Sequence, residues 1–143
     1  MKALFIALSV FLICGCSDHV EETYATFDEA VSAGASDRGW IPSFVLKSAK
    51  SITDAHNLDT NEQELEFLVD PADVSNMVLG MRPISIDSFA KALTRELRLE
   101  GSHEAFVVCG RPLNGALLVE QDTGRAFYTT YVDWATKDCS QAG

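Results

Sequence analysis

Asp54, His56, Asp59 and Asn61 lie within eight consecutive positions of this 143-residue chain and form a candidate ligand or metal site. Two carboxylates, an imidazole and a carboxamide can share a proton or hold a divalent cation. Their spacing fits no EF-hand loop. The surrounding Ser51, Thr53, Asn57 and Thr60 also suit a polar loop whose side chains bond their own backbone. Elsewhere, Asp122-Thr123-Gly124 is the tripeptide of an aspartic-protease turn. Here it follows Glu120-Gln121 and precedes Arg125, which makes it a hairpin turn. Lys91, Arg95 and Arg98 are spaced as a basic helix stripe and form a candidate surface for an anionic partner, although Glu96 and Glu100 favour an ordinary solvated face. No nucleophile elbow, zincin helix, phosphate loop or dinucleotide fingerprint occurs, so no catalytic residue and no cofactor is assigned.

The elements that position these residues belong to one domain. The chain is 47% hydrophobic and 9% aromatic, which excludes a disordered composition, and its length leaves little room for a second domain. Eleven Lys plus Arg against 21 Asp plus Glu give a net charge of -10, whose field repels a phosphate backbone. Nucleic acid is therefore not expected as a partner.

After Met1-Lys2, the apolar run from Ala3 to Cys14 ends in Gly15-Cys16-Ser17-Asp18. Twelve helical residues rise about 18 Å, short of the roughly 30 Å hydrocarbon core. The run therefore reads as an export signal rather than a spanning helix. Ile13-Cys14-Gly15-Cys16 resembles the bacterial lipobox, which implies removal of residues 1–15, lipidation of Cys16 and an acidic tether over residues 16–25. Anchorage then rests on acyl chains, and Ser17 after the acceptor favours the outer over the inner membrane. With Cys16 acylated, Cys109 and Cys139 remain in an oxidising compartment and are expected to form a disulfide.

Residues 26–143 read as an α+β domain, a small antiparallel sheet packed by two or three helices. Thr26-Phe27-Asp28-Glu29 is a capping box opening a helix that Gly34 closes. Residues 48 to 63 read as turns, and Leu65, Phe67 and Val69 alternate as a strand that Pro71 stops. A short helix follows Asp70-Pro71, then a loop to Pro83. Ile86, Phe89, Ala90, Leu93 and Leu97 share one face of the clearest helix, capped by Ser85 or Asp87. Runs at 104–109, 116–120 and 126–132 read as a three-strand meander. Trp40, Phe44 and Trp134 are expected as core anchors, with ligand stacking the lesser role.

The order Gly39-Trp40-Ile41-Pro42, Ser48-Ala49, Ile52, His56, Asp59-Thr60-Asn61 and Leu65-x-Phe67 resembles a group of small exported bacterial proteins of the YbbD-head-like kind, over residues 24 to 70. The resemblance implies a fold and carries over no catalytic residue. If such domains hold a ligand at the His56, Asp59 and Asn61 segment, this chain has the residues for it.

These features point first to a lipid-anchored envelope module that works by binding. Its acidic charge favours a basic protein partner, as an inhibitor or immunity-type binder would. A metal-dependent or hydrolytic enzyme centred on Asp54, His56 and Asp59 is the alternative, and a structural envelope component is the third.

Overall fold

The computed structural model describes residues 18–90, 101–110 and 114–130, together with positions 132, 135 and 139. Seven strands are seen: β1 (His19–Thr26), β2 (Lys50–Asn57), β3 (Gln63–Leu68), β4 (Arg82–Ile84), β5 (His103–Val108), β6 (Gly115–Glu120) and β7 (Arg125–Thr129). They form one sheet in the order β1-β2-β3-β7-β6-β5-β4, with every neighbouring pair antiparallel. Short helices seen among the described residues are α1 (Phe27–Ser32), α2 (Val74–Met77), entered through a 3₁₀ turn at Pro71–Asp73, and α3 (Ile86–Ala90).

Successive strand residues point to opposite faces, so burial shows what covers each face. Along β2 the pattern alternates: Ile52, Asp54 and His56 are buried, and the residues between them are partly or fully exposed. β6 is buried at every position. One of its faces places Leu117 and Val119 in a core with Ile52, Leu65, Phe67 and Tyr128. Its other face places Ala116 and Leu118 in a second core with Phe89, Val107, Phe127 and Val132. The β1–β3 half therefore has one covered face and the central meander has two.

Local chemistry fixes the corners. The Thr26 hydroxyl accepts the Glu29 N–H at 3.2 Å while the Glu29 carboxylate accepts the Ala25 N–H at 2.8 Å, the reciprocal pair expected of a capping box. Ser85 accepts the Ser88 N–H at 3.2 Å, as expected for the cap of α3. At the β6–β7 turn Gly124 has φ +71, and a Cβ there would stand 2.0 Å from the Val69 carbonyl oxygen. Only glycine fits this close approach, and Asp122-Thr123-Gly124 is the hairpin turn anticipated. Cys109 and Cys139 are disulfide-bonded with Cα atoms 5.5 Å apart, tying the end of β5 to the C-terminal segment.

The expected antiparallel sheet with short helices is present, and β5, β6 and β7 form the C-terminal meander. The sheet is larger than anticipated, and the protein is mostly β. Residues 19 to 25, read as a tether, lie in β1, and much of the segment read as turns is β2. In both strands the inward row carries polar groups, Glu22 in one and Asp54 with His56 in the other, so the apolar alternation that marks a strand is missing. β4 is only three residues long and contains Pro83, which is tolerated because it pairs on one side only. The segment read as an export signal with Cys16, the residues Lys91, Arg95 and Arg98 read as a basic stripe, and Trp134 lie outside the described residues.

Candidate functional site

Antiparallel pairing sets Val20 opposite His56, Glu22 opposite Asp54 and Tyr24 opposite Ile52. Residues two apart on a strand share a face, so the side chains of Glu22, Tyr24, Asp54 and His56 all lie on the covered side of the sheet. Asp54 is 0% exposed and His56 2%. The His56 Nδ1–H donates to Asp54 Oδ2 at 2.6 Å, and Gln63 Nε2 donates to Asp54 Oδ1. The same Gln63 nitrogen donates to the Trp40 carbonyl. Both carboxylate oxygens of the buried aspartate are thus held by protein donors, which is how an interior carboxylate is tolerated.

Trp40 closes the site. Its ring lies over the His56 ring at a centroid distance of 3.7 Å and an interplanar angle of 14°, a stacked arrangement that fixes the imidazole plane. Gly39, with φ +84, turns the chain into this position, and Trp40 N–H donates to the Ala35 carbonyl at 2.9 Å. Arg38 reaches back to Glu22 Oε2 at 3.0 Å and to the Ala33 carbonyl at 2.8 Å. One guanidinium therefore bridges the Glu22 carboxylate and the Ala33 backbone carbonyl.

Burial pushes the Asp54 carboxyl above the usual carboxylate range, opposed by the Gln63 amide and by His56. Burial also raises the Tyr24 hydroxyl, with Glu22 adding to the effect. That hydroxyl is buried beside the Glu22 carboxylate without meeting it in a hydrogen bond of good geometry, and it has no other partner among the described residues.

On the far side of Trp40 and Gln63 a cavity of about 370 Å³ opens. Phe44 and Tyr128 form its aromatic wall, in edge contact at a centroid distance of 5.1 Å, and burial raises the Tyr128 hydroxyl to about 12. Leu79, Met81 and Arg82 line it from the α2–β4 connection, Cys109 from the disulfide, and Asn61 and Thr130 supply polar groups. Leu79 is 82% exposed, an unusual position for a leucine.

The sequence-level candidates are therefore divided. Asp54 and His56 meet in the buried dyad. Asp59 is exposed in the β2–β3 turn, where Asn57 Oδ1 accepts the N–H groups of Asp59 and Thr60 at 2.9 and 3.1 Å. Asn61 takes the left-handed conformation at φ +58 in that turn and borders the cavity. Trp40 and Phe44 are packed and also serve as site walls. Glu22, Tyr24 and Gln63 were not anticipated. The period-two spacing Val20, Glu22, Tyr24 was their one trace in the sequence, and it was obscured by the charge in its middle.

An antiparallel sheet with a buried carboxylate–imidazole pair and a disulfide defines a small, mostly β protein. Within it, residues 18–68 match the family model of the YbbD head domain, so this segment is YbbD-head-like. The match spans β1, α1, β2 and β3 and contains Glu22, Trp40, Asp54, His56 and Gln63. No curated protein and no solved structure matches the chain.

Proposed function

We propose that the protein is a lipid-anchored binding module of the bacterial cell envelope, whose cavity beside Trp40 receives an apolar or aromatic group of a basic protein partner. The observation that carries this reading is the cavity itself. Its volume of about 370 Å³ falls in the range of ligand sites, and it sets the walls Phe44, Met81 and Tyr128 beside the polar Gln63 and Thr130. The chain's net charge of -10 favours a cationic partner and speeds its capture at low salt. An inhibitor or immunity-type role is the specific form of this reading. Among the described residues no helix is long and apolar enough to cross a membrane. The anchor in this reading is lipid on Cys16, supported by the Ile13-Cys14-Gly15-Cys16 motif.

The test is capture from envelope extract with the full chain, at low and moderate salt, beside Ser43→Trp. Ser43 is exposed on the cavity rim, so an indole there blocks the opening without disturbing the core. The expected result is a basic partner retained by the native chain, weakened by salt and lost with Ser43→Trp. No partner at either salt concentration, or one indifferent to Ser43→Trp, overturns the cavity reading. Intact mass from the native membrane, beside Cys16→Ala, tests the anchor: a chain beginning at Cys16 with acyl groups is expected, and an unprocessed chain contradicts it.

A further inference from the structure

We propose that Glu22, Asp54 and His56 form a binding site for one borderline divalent ion, with Tyr24 two positions from Glu22 on the same face of β1. The ligand atoms of the three residues all lie within 4.8 Å of one another, so small side-chain movements bring them around a single ion at the roughly 2.0–2.2 Å distances of nitrogen and carboxylate ligands. One imidazole nitrogen and two carboxylate oxygens are a donor set for a Zn²⁺-like ion. Hard cations prefer six or more oxygens in Ca²⁺ sites or several retained waters in Mg²⁺ sites.

Two independent features support an ion rather than a bare polar cluster. The Tyr24 hydroxyl is buried with no hydrogen-bond partner among the described residues, in a residue only 7% exposed, two positions from Glu22 on the same face. A buried hydroxyl without a partner loses its water contacts for nothing, and an ion or its bound water supplies what is missing. The surroundings of the three residues are also built as supports of ligands usually are. Arg38 holds one oxygen of Glu22, Gln63 holds one oxygen of Asp54, and Trp40 stacks on His56 and fixes the ring. On loading, the imidazole binds as the neutral ring, and its remaining proton sits on the nitrogen that faces away from the ion. Half-buried Glu22, on the edge strand β1, is the side from which the ion enters.

The experiment is equilibrium dialysis of the full chain, purified in detergent and stripped with chelator, against Zn²⁺ and separately against Co²⁺. The Co²⁺ form is also read by visible absorption. One ion per chain is expected, with Co²⁺ bands showing mixed nitrogen and oxygen ligation. Glu22→Gln, at a half-buried edge position that tolerates the change, is expected to weaken binding at least roughly 10- to 100-fold and to alter the Co²⁺ spectrum. Asp59→Asn is expected to change neither. Absence of stoichiometric binding overturns the proposal, as does binding unaffected in a folded Glu22→Gln variant. Partner capture is scored separately with Ser43→Trp, so failure of the ion site and failure of the cavity reading are distinguished.

Discussion

The two halves of the sheet solve different problems with the same antiparallel geometry. In the central meander both faces are covered, and Gly115 to Glu120 is buried without a break. Such strands must be apolar nearly throughout, because any polar side chain would need a partner in either of two cores. In β1 and β2 one face is covered and the other is more exposed, and the inward row holds Glu22, Asp54 and His56 next to the Tyr24–Ile52 pair. Polar groups survive there because Gln63, Arg38 and the Trp40 carbonyl lie within reach to satisfy them. The meander holds the strand buried on both faces, and the one-sided half holds the buried polar cluster.

This contrast is broken most directly in the meander. Leu117→Ala removes a fully buried side chain from the core it shares with Phe67 and Tyr128, and a loss of about 4 kcal/mol in denaturant unfolding is expected. A loss under about 1 kcal/mol would mean that the site relaxes freely. Next in size is reduction of the Cys109–Cys139 bond. It closes a separation of 30 residues and is expected to contribute roughly 3.6 kcal/mol, read as the shift of the unfolding midpoint with and without reductant. In the one-sided half, Thr26→Ala removes the acceptor that caps α1 and is expected to cost about 1 kcal/mol, measured the same way.

A change that depends on pH rather than a fixed one is expected for Asp54→Asn in chelator-treated protein. The Asp54 carboxyl is raised in the folded state, chiefly by burial. Below the ordinary Asp value of about 3.9 it is protonated in both the folded and the unfolded chain, and its contribution to stability is fully present. As pH rises from there through the raised folded value, the unfolded chain releases the proton first, and stability falls. The asparagine variant lacks this decline, so its stability relative to the native chain should improve between pH 4 and pH 7. Parallel stability profiles for the two proteins would show that His56 and Gln63 fully compensate the buried charge.

Much of the fold was legible where local chemistry acts alone. The capping box at Thr26 and Glu29, the Pro71 stop, the Gly124 hairpin and the meander all appear at their expected places, because each depends on residues close in the chain. The strands β1 and β2 were hidden because their inward positions hold the groups of the candidate site, and polar residues in a covered row erase the alternation by which a strand is read. Of that site, Asp54 and His56 were visible as residue types two apart in the chain. Glu22, 32 positions before Asp54, comes beside it only through the register of β1 on β2. Gln63 was read as part of a loop and gains its role because the antiparallel return of β3 sets it opposite His56.

The amino-acid sequence by itself determined the strong acidic charge, the local caps and turns, and the cysteine pair that joins 109 to 139. The charge follows from composition and the caps and turns from interactions spanning a few residues, while the cysteine pairing was expected on the reading that removes Cys14 and acylates Cys16. The tertiary structure decided which polar residues are buried, which of them meet, and that Trp40 divides the dyad from the cavity. Those outcomes depend on strand register and on how both faces of the sheet are covered, and register is settled only when the whole sheet closes on its cores.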